Sequence, residues 1–156
     1  MRKIKRIFIH CTASLQEEYT DRKLIDEFKT KGWENPGYHY VIRPDGSIFA
    51  MLPENKVSNG VQGYNSTSIN IAYVGGITKD NKKGIDNRTD EQKGTLYTLL
   101  YTLKKRYPEA YVMGHRDISE DKNGNGKVDP WERIKECPCF DAMDEYKEFN
   151  KGLKKP

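Results

Sequence analysis

Short apolar runs alternate along this chain with stretches of helical periodicity, and this alternation is the strongest constraint on its fold. Runs rich in branched and aromatic residues predict strands at residues 6–9, 37–42, 47–50, 69–74 and 110–113. The turn residues Pro44, Asp45 and Gly46 join the second and third of these strands, which predicts a β-hairpin. Because strands and helices are interspersed, we expect an α/β fold: a single domain with a mixed central β-sheet flanked by helices.

Three helices are predicted between and after these strands. Thr20 and Asp21 can cap the first helix, and Gly32 closes it. A capping-box pattern at residues 89–92 opens the longest helix, which should end before Pro108. The leucines of this helix have the spacing of a core-facing surface: Leu96, Leu99, Leu100 and Leu103. The third helix is predicted over residues 140–153.

The size and charge of the chain exclude several classes of protein. Its 156 residues are enough for one domain without disulfide crosslinks. The 27 basic and 23 acidic side chains give a net charge of +4, too weak a bias to indicate a nucleic-acid partner. The apolar run at residues 7–9 is too short for a signal-peptide core or a membrane span. We expect a monomer that is made in the cytoplasm without a signal peptide and does not insert into membranes.

The chain contains three cysteines, Cys11, Cys137 and Cys139. Their number is odd, and the last two are too close in sequence to form an unstrained disulfide with each other. A secreted disulfide framework is therefore not expected, and the thiols are metal ligands or core residues. We expect Cys11 to be a small core residue.

Residues 114–141 combine a histidine, two cysteines and a calcium-loop pattern with little apolar periodicity, which favours chemistry over packing. His10 and His115 each follow a predicted strand directly. A single histidine in such a place is more often hydrogen-bonded or exposed than a metal ligand. Together with a cysteine, however, the two histidines form the three-ligand set that is typical of a catalytic zinc site with an open fourth position. His39 is expected to be structural.

Five fragments occur in order along most of the chain: IFIHCTAS, GYHYVIRPDGSI, GYNSTSINIAYVGG, GHRD and KECPCFD. Together they resemble the type 2 N-acetylmuramoyl-L-alanine amidases, a family that includes phage lysozyme-type amidases and peptidoglycan recognition proteins. The resemblance implies a mixed sheet flanked by helices with zinc at the floor of a groove. It also implies hydrolysis of the amide bond between N-acetylmuramic acid and L-alanine in bacterial peptidoglycan.

Matched residue by residue, the resemblance makes His10, His115 and Cys137 the zinc ligands and makes Tyr38 and Lys135 the catalytic residues. Two neutral imidazoles and a thiolate leave a zinc site positively charged, so the metal can acidify a water molecule and polarise a carbonyl. A tyrosine hydroxyl and an ammonium group can stabilise the oxyanion and help to protonate the departing amine.

The chain departs from the family pattern at two positions. Cys139 stands where a hydroxyl residue is common, so it remains an alternative zinc ligand to Cys137, although Cys137 keeps the matched spacing. Residues 59–62 replace a histidine that often precedes the GYN fragment. Tyr64 and Asn65 of that fragment are the expected substrate contacts.

The segment between the second histidine and Cys137 matches the calcium-loop pattern D-x-N-x-N-G-x5-E. Its oxygen donors would be Asp121, Asn123, Asn125, the Lys127 backbone carbonyl, Asp129 and Glu132. The alternative is a polar turn with a solvated acidic face. Calcium bound here would order the segment that delivers Lys135 and Cys137, so zinc affinity and activity would depend on calcium.

We therefore expect a single zinc amidase domain over residues 1–156 with a calcium-loop-like insertion at 121–132, Zn²⁺ and Ca²⁺ as cofactors, and peptidoglycan as substrate. The alternatives are a non-catalytic peptidoglycan-binding module and a calcium-binding interaction domain. Without an export signal, the enzyme would reach the cell wall after release or secretion, which suits an endolysin of phage or prophage origin.

Overall fold

The computed structural model describes residues 1–156. The strands are β1 (Arg6–Cys11), β2 (Tyr40–Ile42), β3 (Ile48–Ala50), β4 (Ser68–Tyr73) and β5 (Tyr111–Gly114). The α-helices are α1 (Asp21–Thr30), α2 (Asp90–Arg106) and α3 (Ala142–Glu145). Short 3₁₀ turns lie at Gln16–Glu18, Asn65–Thr67, His115–Ile118, Pro130–Glu132 and Lys147–Asn150.

The strands form one five-stranded sheet in the order β3-β2-β4-β1-β5. β1 runs parallel to both β4 and β5, and β2 runs parallel to β4. β2 and β3 are antiparallel and form the predicted hairpin. The prediction of a mixed sheet flanked by helices is therefore confirmed.

The two faces of the sheet bury different sets of side chains. Because side chains alternate along a strand, Ile7 and Ile9 of β1 point to one face, where they join the leucines of α2 in the main core. Phe8 of β1 points to the opposite face, where it packs with Val61 and Met113. This second face also holds α1, which packs against β2. Alternation places His10 on the second face, away from α2.

The predicted helix starts are confirmed by their caps. Thr20 Oγ1 accepts a hydrogen bond from the Lys23 N–H at 3.1 Å. At the start of α2, Thr89 Oγ1 accepts from the Gln92 N–H, and Gln92 Oε1 accepts from the Thr89 N–H, both at 3.0 Å. α2 ends at Arg106, before Pro108. No helix is both long and apolar enough to cross a lipid bilayer.

Two predicted strand boundaries were wrong by more than one residue. β1 continues through Cys11, so His10 lies within the strand rather than after it, because pairing with β4 continues through Tyr73. β2 begins at Tyr40 rather than at residue 37. The His39 N–H still donates to Asn70 O at 2.8 Å, whereas Tyr38 lies outside the strand, and its ring packs edge-on against Phe28 of α1 with ring centroids 5.3 Å apart.

The predicted closing helix over residues 140–153 was also wrong. The chain forms α3, turns at Tyr146, and then forms a 3₁₀ turn that ends at Asn150. Asn150 hydrogen-bonds the free edge of β5: its Oδ1 accepts from the Val112 N–H at 2.7 Å, and its Nδ2 donates to Val112 O at 2.8 Å. These tertiary contacts favour the broken path over a continuous helix.

Candidate active site

Three side chains that are distant in sequence meet on the second face of the sheet. His10 lies in β1, and His115 directly follows the neighbouring strand β5. The ligand atoms of these histidines and of Cys137 all lie within 4.8 Å of one another. The two imidazole rings meet edge-on with centroids 4.9 Å apart, and Cys137 Sγ is 3.7 Å from His10 Nδ1. The structure thus brings together the three residues that the sequence analysis assigned to zinc.

Backbone contacts hold Cys137 in this position. The Arg116 N–H donates to Cys137 O at 2.9 Å, and the Cys11 N–H donates to Cys137 Sγ at 3.3 Å. Gly114 allows the cysteine segment to approach β5, because a Cβ atom at this glycine would lie 2.7 Å from Pro138 Cδ. These contacts fix the Cys137 sulfur beside the two histidines.

The two histidines are buried and neutral at neutral pH. Burial is the main cause that lowers the pKa of His10 to about 4 and the pKa of His115 to about 3, and the positive charge of Lys135 lowers both further. His10 Nε2 lies 2.8 Å from Asn70 Oδ1, so Nδ1 is the nitrogen that faces Cys137. Two neutral imidazoles and a thiol form a donor set that fits zinc.

Tyr38 lies beside this donor set, and the charge of Lys135 acts on it. The Tyr38 ring centroid is 5.2 Å from that of His10, and the Tyr38 hydroxyl donates to Cys11 O at 3.4 Å. Burial raises the pKa of Tyr38 above its ordinary value, and the neighbouring Cys137 raises it further, so the hydroxyl keeps its proton. Lys135 is exposed, and its charge reaches both histidines.

A family model described as N-acetylmuramoyl-L-alanine amidase matches residues 1–132. The chain belongs to this amidase family. The matched range contains His10, Tyr38 and His115, and it ends before Lys135 and Cys137.

Relatives and solved structures agree with this membership in the amidase family. The chain is 36% identical over 138 residues to an endolysin of Klebsiella phage KP32. The matched region covers 87% of this chain and 81% of that protein. It is similar to the N-acetylmuramoyl-L-alanine amidase LysC from Clostridium intestinale URNW, with a TM-score of 0.73, 25% identity and coverage of 98% and 88% of the two chains. Drosophila PGRP-LB shares the fold, with a TM-score of 0.65, 18% identity and coverage of 88% and 76%.

In this family member, the alternative zinc ligand Cys139 points away from the two histidines. Its Sγ lies 3.8 Å from the Cys11 Sγ and 3.7 Å from Gly76 O. The hydrogen bond to Cys137, together with burial, raises the pKa of Cys11 to about 12. The pKa of Cys139 is also raised, first by its contact with Cys11 and then by burial. Cys11 and Cys139 are therefore neutral thiols in the core, as expected for Cys11.

Tyr64 and Asn65, the predicted substrate contacts, make structural contacts in their loop. The Tyr64 ring packs edge-on against Phe8 with centroids 6.1 Å apart, and the Arg6 guanidinium lies 4.8 Å from its centroid. Asn65 Oδ1 accepts from the Val61 N–H at 2.7 Å. These contacts hold the loop against β1, and a role in substrate binding stays a prediction.

The predicted calcium loop is closed by hydrogen bonds from its own backbone to its carboxylates. Asp121 Oδ2 accepts from the Gly126 N–H at 2.7 Å. Glu132 is 3% exposed; its Oε1 accepts from the Lys122 N–H and its Oε2 from the Asp129 N–H, at 2.7 and 2.8 Å. The side-chain amides of Asn123 and Asn125 both donate to Asp129 Oδ2 at 2.8 Å. Both carboxylate oxygens of Glu132 thus accept backbone N–H groups, and the acidic side chains of this loop do not form a converging metal-ligand group such as that of His10, His115 and Cys137.

The buried polar residues behind His10 were not predicted from the sequence. Asn70 of β4 and Ser58 are fully buried and hydrogen-bonded to each other at 2.8 Å. One signal was available: Asn70 is a polar residue inside an otherwise apolar predicted strand. A polar side chain at such a position requires buried hydrogen-bond partners.

Proposed function

We propose that this protein hydrolyses the amide bond between N-acetylmuramic acid and L-alanine in bacterial peptidoglycan, with zinc held by His10, His115 and Cys137. The observation that carries the proposal is the convergence of two buried imidazoles and a thiol within 4.8 Å in a chain of the amidase family. Three such ligands leave a fourth coordination position for water or substrate. Bound zinc would supply Lewis-acid chemistry, which polarises a carbonyl group and makes water more acidic.

Tyr38 is proposed to donate a hydrogen bond to the carbonyl oxygen of the scissile amide as negative charge develops on it. The hydroxyl keeps its proton at neutral pH because burial raises its pKa. Its hydrogen bond to Cys11 O is long, at 3.4 Å, so exchanging that partner for a substrate oxygen costs little. A donor placed in advance at such an oxygen is a large contribution to acyl-transfer catalysis.

Lys135 is proposed to stabilise the same developing charge and to help protonate the departing amine. Its side chain is exposed, so the ammonium group keeps its hydration until substrate covers the site. Its charge already reaches both histidines. A cation beside the reacting amide lowers the energy of an anionic transition state, and an ammonium is a proton donor for an amine leaving group.

The endolysins among the relatives support a cell-wall role that follows release or secretion. The decisive test is mass spectrometry of purified peptidoglycan after incubation with the protein. We expect free stem peptides that carry an N-terminal L-alanine, together with uncut glycan strands. Removal of zinc with a chelator should stop peptide release, and added zinc should restore it.

Other products would contradict this function. Cleavage between sugars, or an unaltered polymer after incubation with zinc-loaded protein, would rule out the amidase activity. Stable binding to peptidoglycan without any release would instead support the alternative of a non-catalytic binding module. Elemental analysis that finds calcium without zinc would support the calcium-binding interaction domain.

We also propose that the loop over residues 121–132 binds Ca²⁺. The proposal is supported by the full loop pattern and by the hydrogen bonds that place Asp121, Asp129 and Glu132 in one closed loop. Because Glu132 precedes Cys137 by only a few residues, calcium would order the segment that delivers the sulfur ligand. Calorimetric titration of the wild type and of Glu132→Gln tests binding, with the exposed neighbour Glu120→Gln as the matched control.

The coupling to zinc is tested by measuring zinc affinity with and without calcium. We expect the wild type and Glu120→Gln to bind zinc more tightly when calcium is present, and Glu132→Gln to show no such difference. Equal zinc affinity under both conditions in the wild type would refute the coupling. Absence of a calcium signal in the wild type would refute the site itself.

A further inference from the structure

A chain of buried hydrogen bonds runs from the candidate metal centre into the loop behind the sheet. His10 Nε2 lies 2.8 Å from Asn70 Oδ1, and Asn70 Nδ2 lies 2.8 Å from Ser58 Oγ. Ser58 Oγ lies 3.2 Å from His39 Nδ1, and His39 Nε2 lies 2.9 Å from Lys56 O. The four side chains in this chain are at most 1% exposed. Water therefore cannot easily replace any of these partners.

The direction of each hydrogen bond in this chain follows from one donor that cannot be reversed. The backbone N–H of Asn70 donates to His39 Nδ1 at 3.0 Å, so this ring nitrogen carries no proton. His39 Nε2 therefore carries the proton and donates it to Lys56 O at 2.9 Å. The Arg2 guanidinium lies 3.3 Å from the same nitrogen, but its N–H groups donate to Glu54 O and Ser68 O instead. The Ser58 hydroxyl donates to His39 Nδ1, and its oxygen accepts from the Asn70 side-chain amide.

This direction continues to the metal centre. Because Asn70 Nδ2 donates to Ser58, Asn70 Oδ1 is the atom that faces His10. An amide oxygen can only accept, so His10 Nε2 must donate and carry the proton of the neutral ring. His10 Nδ1 then has a free lone pair, and this is the nitrogen that lies 3.7 Å from Cys137 Sγ.

The backbone of Gly60 makes room for this arrangement. A Cβ atom at Gly60 would lie 2.4 Å from both Cγ and Oδ1 of Asn70. Every other side chain at this position would displace the amide group that contacts His10. The glycine and the asparagine therefore form a matched pair across the loop and β4.

We propose that Asn70 is a positioning residue that holds His10 in the Nε2-protonated tautomer and so directs the Nδ1 lone pair toward the metal position between Cys137 and His115. Removal of such a hydrogen-bond partner of a histidine ligand typically weakens metal binding about 10- to 100-fold. The effect on zinc rests on the proposed zinc site. The tautomer itself is a property of the metal-free protein and can be measured independently.

The first measurement is the tautomer of His10 in the full chain after removal of metal. Long-range ¹H–¹⁵N correlation spectra at neutral pH distinguish the two neutral forms by the ¹⁵N shifts of the ring nitrogens. We expect the Nε2-protonated form in the wild type. A wild-type spectrum that shows His10 protonated at Nδ1 would overturn the proposal.

The second measurement compares three variants. Asn70→Leu removes the acceptor and should give a mixture of His10 tautomers, with zinc affinity weakened about 10- to 100-fold in a chelator competition assay. Asn70→Asp keeps an acceptor oxygen and should retain the Nε2-protonated form. Asn150→Leu also removes a buried asparagine, one that bonds Val112 at the free edge of β5 and makes no contact with His10, and should change neither the tautomer nor the zinc affinity.

The variants decide the outcome as follows. A folded Asn70→Leu protein that keeps the wild-type tautomer and binds zinc as tightly as Asn150→Leu would refute the positioning role. If Asn70→Leu does not fold, the wild-type spectrum and Asn70→Asp decide, and loss of the Nε2-protonated form in Asn70→Asp would count against the proposal. A wild type that binds no zinc would refute the zinc site, and the spectra would still decide the role of Asn70.

Discussion

Exchange of single sulfur atoms for oxygen distinguishes the two candidate cysteine ligands. Cys137→Ser and Cys139→Ser make the same chemical change two residues apart. Cys137 Sγ lies within 4.8 Å of the ligand atoms of both histidines, whereas Cys139 Sγ contacts Cys11 and Gly76. We therefore expect only the first substitution to remove a zinc ligand.

The size of the effect follows from the number of ligands. Protein zinc sites with four ligands bind with about 10–16 kcal/mol, so one ligand accounts for about 2.5–4 kcal/mol. Cys137→Ser should therefore weaken zinc binding about 10²- to 10³-fold, because a serine hydroxyl does not ionise as a thiol does. Cys139→Ser should keep wild-type zinc affinity, since a serine hydroxyl can still donate to Gly76 O, and stability should change by less than about 1 kcal/mol.

The assay is competition for zinc between each metal-free variant and a chelator of known affinity, with thermal unfolding followed by circular dichroism as the test of folding. Zinc content measured by mass spectrometry after purification gives an independent value. If Cys139→Ser lost zinc and Cys137→Ser kept it, the assignment of the sulfur ligand would be reversed. If both bound zinc like the wild type, the cysteine would not be a ligand at all.

Three further predictions concern the residues around the metal position. Tyr38→Phe should lower kcat about 10²- to 10³-fold while zinc content stays unchanged, because it removes the proposed donor to the oxyanion. Gly60→Ala should destabilise the fold by about 1–3 kcal/mol and weaken zinc binding, because its Cβ would lie 2.4 Å from the Asn70 side chain. In the metal-free protein, the unfolding free energy should fall by on the order of a few kcal/mol as pH decreases from about 6.5 toward 4, because His10 and His115 take up protons more readily when unfolded.

Each of these predictions has an outcome that contradicts it. Steady-state kinetics that give Tyr38→Phe a wild-type kcat would remove the hydroxyl from the mechanism. Urea unfolding curves and zinc titrations of Gly60→Ala that match the wild type would show that the loop containing Gly60 can shift without displacing the Asn70 side chain. For the pH dependence, the sign matters: both folded-state pKa values are lowered, so stability present above pH 6.5 is lost on acidification. Stability that stays constant or rises over that range would contradict the buried neutral histidines.

Local signals were enough to predict most of the architecture. The capping box at Thr89 and the leucine spacing of α2 are properties of neighbouring residues, so they are readable without the fold. The same is true of the hairpin turn at residues 44–46. The prediction of a closing helix over residues 140–153 was wrong because contacts with distant residues determine the conformation of that segment. Asn150 bonds the edge of β5, which no local sequence pattern reveals.

The features of the candidate site also divide into those that the sequence predicts and those that depend on the tertiary structure. The sequence by itself determined the types of ligand, because histidine and cysteine are scarce and lie near the ends of predicted strands and in one unusual segment. Only the tertiary structure decided which sulfur faces His10 and His115, since this depends on how the segment with Cys137 crosses β1 and β5. Only the tertiary structure also placed Asn70 behind His10. Those two residues are 60 positions apart, and the parallel pairing of β1 with β4 sets their contact and hence the tautomer proposed for the ring.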